Sequence, residues 1–182
     1  MNGFLDRDRI VALLGELAGR LEARGLEADL YVVGGTAMAL AYDRLRVTRD
    51  IDAVGEPMAA IEAEAREMAG VHRDLPSDWL SARVMPLLPR SFDADRIEAL
   101  AWPGLSVNVA SPRRLLAMKV RAGRYDRDLQ DIWILCQVLE LVRLEQVWDI
   151  VDEVWGSGML REDVALLVGD YLRARGLCDE HS

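Results

Sequence analysis

An α/β (α+β) core with a small mixed sheet and flanking helices, followed by a C-terminal helical bundle, is the architecture that the sequence predicts. Three observations predict it. Apolar spacing alternates between helix and strand periods as far as Ala110, a strand runs through a glycine turn into a helix at Gly34-Gly35, and helical spacing dominates after Ser111. A chain of 182 residues, 51% of them hydrophobic, buries such a core without staples. The expected organisation is a core with an N-terminal helix over residues 1–110. A bundle over 111–182 is expected to pack on that core and complete its functional site.

Each element has a local reason. Ile10, Leu13, Leu14, Leu17 and Leu21 fall at helical spacing within residues 7–24, and Gly25 closes that helix. The β-rich run 28–33 stops at Gly34-Gly35, and helix formers resume at Thr36. Residues 51–54 form a second short strand with acids at alternate positions beside it, and 58–69, rich in Ala, Glu and Met, form a helix. Residues 70–90 give no clear period. The runs 96–102 and 105–110 flank Pro103-Gly104, which predicts a hairpin. Ser111-Pro112 supplies an N-cap and a first-turn proline for a helix to Ala122. Further helices are expected over 128–141, 144–155 and 161–175, with breaks near Arg143 and at Gly156-Ser157-Gly158.

Charge and cysteine content exclude several classes. With 31 acidic and 22 basic residues the net charge is -9, which argues against a protein that grips nucleic acid over a broad surface. Positive charge is local: Arg44, Arg46 and Arg49 crowd together, and Arg113, Arg114, Lys119, Arg121, Arg124 and Arg127 form a second basic stretch. Cys136 and Cys178 lie far apart and suggest neither a zinc site nor a disulfide framework; Cys136 reads as a small core hydrophobe. No apolar run approaches the roughly 20 residues of a membrane span, and no basic-then-apolar leader opens the chain. The expectation is a cytoplasmic protein with no membrane partner.

The chemistry-bearing residues centre on Asp50-Ile51-Asp52. Residues two apart on a strand share a face, so both carboxylates can serve one hard cation such as Mg²⁺. Gly34-Gly35 lets backbone approach a phosphate, and the amides at the following helix start attract negative charge. With 14 residues between Gly35 and Asp50, the stretch from Val33 to Leu40 followed by Arg46 to Asp52 resembles the signature of the polymerase-β-type nucleotidyltransferase superfamily.

A second stretch narrows the resemblance. Lys119 is the single lysine in a chain that otherwise uses arginine, which suggests a position requiring a compact ammonium. Asp128 and Asp131 share a helix face, where capping and ion pairs with Arg124 and Arg127 are the plain structural roles. Residues 115–122 with 127–132 look like the second signature of the AbiEii-like nucleotidyltransferases, the toxins of type IV abortive-infection toxin–antitoxin systems.

That resemblance implies a metal-dependent transfer of NMP from an NTP to an acceptor hydroxyl. Asp50 and Asp52 would bind Mg²⁺ or Mn²⁺, and Gly34, Gly35 and Thr36 would cradle phosphates. Lys119 and Arg49 would counter phosphate charge, and Asp131, with Asp128 less firmly implied, would assist catalysis. It further implies RNA such as tRNA as the acceptor, and a cognate antitoxin protein as a partner. Two other readings stay open: an aminoglycoside-type antibiotic nucleotidyltransferase, which an acidic surface suits, and a catalytically degenerate binding protein. The latter is favoured by Asn108, which stands where many superfamily members carry a third strand carboxylate; Glu98 on the partner strand is the candidate substitute.

Overall fold

A computed structural model describes residues 4–179, apart from the side chain of Asp126. The chain forms two compact units. One runs to Leu88 and resumes at Asp95–Ala110; the other combines Pro89–Ala94 with the chain from Ser111 onward.

In the first unit, helix α1 (Arg7–Ala23) starts where the Asp6 side chain accepts a hydrogen bond from Arg9 N at 2.8 Å. It buries Ile10, Leu13, Leu14, Leu17 and Leu21, the stripe that the spacing predicts, together with Ala18. Strand β1 (Ala28–Val32) leads into a short helix α2 (Gly34–Ala37), which widens into a π-helical turn (Met38–Tyr42). Strand β2 (Ile51–Glu56) and helix α3 (Met58–Val71) follow. The unread segment 70–90 supplies strand β3 (Leu80–Ser81) and a 3₁₀ turn (Met85–Leu87). Trp79 anchors it: the ring is fully buried and its indole N–H donates to Ala65 O at 2.8 Å. Strands β4 (Ile97–Trp102) and β5 (Leu105–Val109) form the expected hairpin around Pro103-Gly104, with Gly104 at φ +82°.

The five strands run in the order β3-β2-β1-β5-β4. β1 is central, antiparallel to β2 and parallel to β5, so the sheet is mixed as expected. Alternation divides its faces. Leu30, Val32, Ile51, Ala53, Val107 and Val109 are buried in the core, where α3 packs against β2 and α1 against β5 and α3. Tyr31 pairs with Val54 on one side and Asn108 on the other. These three side chains share the opposite face, as do Asp29 and Asp52 two residues away along β1 and β2.

The second unit is helical: α4 (Pro112–Ala122), α5 (Tyr125–Val138), α6 (Leu144–Trp155) and α7 (Glu162–Arg173), with α5, α6 and α7 all packed on α4. Helix α5 begins three residues earlier than its spacing suggests, because Gly123 in the left-handed region (φ +58°) closes α4 and lets the chain restart at once. Residues 89–94 belong to this unit rather than to the core expected over 1–110. Buried Arg114 donates to Ser91 O (2.7 Å) and Ser91 Oγ (3.1 Å), and Asp93 Oδ2 accepts from Ser111 N (2.9 Å). Among the described residues, no helix is long and apolar enough to cross a membrane.

Ser111 Oγ accepts from Arg114 N at 3.3 Å, the expected N-cap of α4. Ser111→Ala should lower unfolding free energy in a urea titration by about 1 kcal/mol, the usual cost of removing such a cap. An unchanged midpoint would show that the Asp93 bond alone holds this helix start.

Candidate active site

The glycine turn and the acidic segment meet at one end of the sheet. Val33 is extended and donates its N–H to Asp52 O at 3.0 Å, which prolongs the β1–β2 ladder by one bond. Gly34 then turns with φ +67°, a conformation that side chains disfavour. A methyl group on Gly34 would lie 3.3 Å from Asp52 Oδ2, and one on Gly35 would lie 2.8 Å from Thr48 Oγ1. The two glycines are thus what allows Asp52 and Thr48 to lie directly against the turn.

Thr36 is fully buried, and its hydroxyl donates to Asp50 O at 2.9 Å. Thr48 Oγ1 reaches the same carbonyl at 3.3 Å. The backbone of Asp50 is therefore tied to the helix start, and Thr36 presents its hydroxyl to protein rather than to the open side of the turn. Asp50 sits one residue before β2 instead of on the strand, while Asp52 lies within it; both are half-buried. Exposed Arg49 lays its guanidinium over the Phe4 ring, 5.1 Å from the centroid.

This donor set fits a hard divalent cation in part. Among the described residues no group of three or more His, Cys, Asp or Glu side chains gathers to hold a metal ion. The Asp52 carboxylate lies beside a turn without side chains, with Asp50 two residues earlier in the chain, and Mg²⁺ usually takes one or two carboxylates and completes its shell with phosphate and water. Asn108, in the position of the expected third acid, is buried, and its amide donates to Asp29 Oδ1 at 2.9 Å. Glu98 is opposite Asn108 in the β4–β5 register and accepts from Ser106 Oγ at 3.5 Å. Asp29 escaped the sequence reading, although the β1 alternation was the signal that could have placed it on the Asp52 face.

Lys119, Asp128 and Asp131 come together within the helical unit. Lys119 is 5% exposed, and its ammonium donates to Asp128 Oδ1 at 3.0 Å and Asp131 Oδ2 at 2.5 Å. Arg124 completes the cluster, with its Nε 2.7 Å from Asp128 Oδ2. Burial pushes the Asp128 carboxyl upward, but hydrogen bonds and attraction from Arg124 and Lys119 outweigh it and hold the group below the usual carboxylate range. A phosphate contact by Lys119 would have to compete with two carboxylates already in place.

A mixed sheet with flanking helices, a glycine turn and an adjoining acidic strand together define a nucleotidyltransferase-like fold. The chain belongs to the family described as nucleotidyltransferase of unknown function (DUF6036), whose model matches residues 9–163. No curated protein and no solved structure gives a significant match. The family match carries the nucleotidyltransferase class and does not reach the AbiEii-like branch.

Two outcomes follow from these contacts. Gly34→Ala should lose about 1–2 kcal/mol of stability from its left-handed backbone alone, read by urea denaturation. Stability equal to wild type would mean that the turn has room for a side chain beside Asp52. Lys119→Ala removes the cation shared by two buried carboxylates and should cost about 3–5 kcal/mol. By contrast Arg113→Ala, which opens an exposed pair with Glu153, should cost under about 1 kcal/mol. Equal losses in the two variants would show that the Lys119 cluster is no stronger than a surface ion pair.

Proposed function

We propose that this chain is a divalent-metal-dependent nucleotidyltransferase that moves NMP from an NTP to an acceptor hydroxyl. The observation that supports it best is the close approach of the Gly34 turn to Asp52 Oδ2, with Thr36 and Thr48 fixing the Asp50 carbonyl. Asp50 and Asp52 would hold Mg²⁺ or Mn²⁺, whose chemistry when bound is to neutralise triphosphate oxygens. The first intrahelical donor at the turn is Ala37 N, bonded to Val33 O, so the amides of Gly34, Gly35 and Thr36 precede the α2 ladder. They suit an anionic phosphate, whose charge Arg49 would counter if its guanidinium left the Phe4 ring. In the reaction the acceptor oxygen forms a bond to the α-phosphorus while the α–β bridging P–O bond breaks. Pyrophosphate leaves with that electron pair, and the hydroxyl proton passes to a carboxylate or water.

Lys119 and Asp131 enter this reading through the resemblance of residues 115–132. For Lys119 to reach phosphate or Asp131 to take the proton, their mutual ion pair must open. The finer assignment, the toxin of a type IV toxin–antitoxin system with RNA such as tRNA as acceptor and an antitoxin as partner, rests on that same resemblance.

Asp50→Asn and Asp52→Asn should each reduce Mg²⁺-dependent NTP binding and transfer by at least about 100-fold, the loss that outer-shell changes around a metal can reach. Isothermal titration with each NTP, with and without Mg²⁺, reads the binding, and circular dichroism checks the fold. A wild-type protein that binds no NTP in the presence of Mg²⁺ would sink the enzyme reading in favour of a degenerate fold.

A further inference from the structure

Asp50 lies just outside the β ladder. Strand β2 starts at Ile51, whose N–H goes to Trp79 O at 2.6 Å. The Asp50 carbonyl, one residue earlier, is paired by two side chains instead: Thr36 Oγ1 at 2.9 Å and Thr48 Oγ1 at 3.3 Å. A carbonyl oxygen has two lone pairs, and two hydroxyl donors occupy both. That oxygen is taken up within the protein, so what Asp50 has to offer a cation is its carboxylate.

The two hydroxyls are held in different ways. Thr36 is fully buried in α2, next to Gly35. Thr48 is half-buried, and its backbone is clamped by Leu5 N to Thr48 O (2.6 Å) and Thr48 N to Leu5 O (2.9 Å), with Leu5 itself 4% exposed. The Thr48 side chain fills the space beside Gly35, where a methyl group would lie 2.8 Å from its Oγ1 and 3.1 Å from its Cβ. Gly35, unlike Gly34, does not have a left-handed backbone. What bars a side chain there is therefore Thr48, and a side chain could enter only by turning the Thr48 hydroxyl away from Asp50 O. The second glycine of the turn thus makes room for a threonine that holds Asp50.

We propose that Thr36 and Thr48 are positioning residues for Asp50: their hydroxyls fix its backbone so that the carboxylate is held in place for the cation, and neither hydroxyl acts on the nucleotide phosphate. This role rests on the metal-dependent reading of the turn. The part in the phosphate cradle that the resemblance implies for Thr36 then falls to its amide alone.

The test uses the full chain. Calorimetry reads binding of each NTP over a Mg²⁺ series, and thermal unfolding reads stability in the same variants. Removing a group that orients a metal ligand lowers metal affinity by roughly 10- to 100-fold. Thr36→Val should therefore raise the Mg²⁺ concentration for half-maximal NTP binding by about 10-fold or more, while NTP affinity at saturating Mg²⁺ stays at the wild-type level. Thr36→Ser keeps the hydroxyl and should restore the wild-type Mg²⁺ profile. Thr48→Val should move the profile in the same direction but less far, since its bond is the longer one. If Thr36→Val does not fold, Thr48→Val at its half-buried position decides. Gly35→Ala should shift the profile in the wild-type background and add little to Thr48→Ala, where the hydroxyl it would displace is already gone.

A fall in NTP affinity at saturating Mg²⁺ in Thr36→Val, with the Mg²⁺ profile unmoved, would make Thr36 a phosphate ligand and overturn the proposal. So would a lower melting temperature with an unmoved profile, the mark of a hydroxyl that only stabilises the fold, or a Thr36→Ser variant that behaves as Thr36→Val does. In each of these cases the wild type still binds Mg²⁺-NTP, and the nucleotidyltransferase reading stands. A wild type that binds no NTP at any Mg²⁺ concentration would instead overturn that reading and the positioning role with it.

Discussion

The close approach of a turn without side chains to Asp52 is the contact around which the first unit is organised. With Gly34 at φ +67° and Asp52 Oδ2 in the space a methyl group would crowd, the β1 ladder ends at Val33 and α2 starts at the next residue. The Val33 N–H then goes to Asp52 O, so the ladder itself sets the height of the acid relative to the turn. Once that height is set, Thr48 falls against Gly35, and both threonine hydroxyls converge on the Asp50 carbonyl. A loop that returns so close needs an outer anchor, and the Leu5–Thr48 bridge provides it. Backbone sterics and the β1–β2 ladder thus set the backbone position of the acidic pair.

In the helical unit the organising force is electrostatic. Burying a charge costs several kcal/mol unless partners satisfy it. Lys119, Asp128, Asp131 and Arg124 meet that condition as two cations and two anions, with both Asp128 oxygens occupied. An ammonium presents three donors from one point and can sit between two carboxylates of the same helix, whereas a planar guanidinium needs a wider seat. That gives the single lysine of the chain a structural reason independent of any substrate. Arg114 does the corresponding work elsewhere, where a fork of donors reaches the carbonyls and the hydroxyl of 89–91 and so draws that segment into the helical unit.

Much of this was legible in the sequence where the signal is local. The α1 stripe, the Ser111-Pro112 helix start, the Pro103-Gly104 hairpin and the glycine turn each depend on residues within one or two turns of chain, and each was placed within a few residues. Segment 70–90 was unreadable because its order comes from one buried tryptophan and a two-residue strand, neither of which has a period. The membership of 89–94 was hidden because it depends on the direction of the Arg114 side chain, a tertiary choice. For the candidate site, residue types bring Gly34, Gly35, Thr36 and Asp52 to one end of the sheet, but the destination of a hydroxyl does not follow from them. Thr36 shares a turn with two glycines, and nothing in its spacing says whether the oxygen faces inward or outward.

Asn108 shows how far the polar face of the sheet can take part in chemistry at Asp52. Its amide is a donor to Asp29, so a carboxylate there would remove the donor and set two anions about one hydrogen bond apart. Neither Asp29 nor Glu98 replaces the third acid by proximity. Asp52 lies opposite Val33, and Asp29 is four residues back along β1, about 13 Å at the usual strand rise. Glu98 is on the far side of β5 from β1, in register with Asn108. The sheet therefore presents two separated acidic regions, Asp50 with Asp52 at the turn and Asp29 with Glu98 around the Ser106 and Asn108 side chains. On the reading proposed for the turn, a cation there would draw on the Asp50 and Asp52 carboxylates and fill the rest of its shell from substrate and water. Binding of metal and of nucleotide would then be mutually dependent, each supplying what the other lacks.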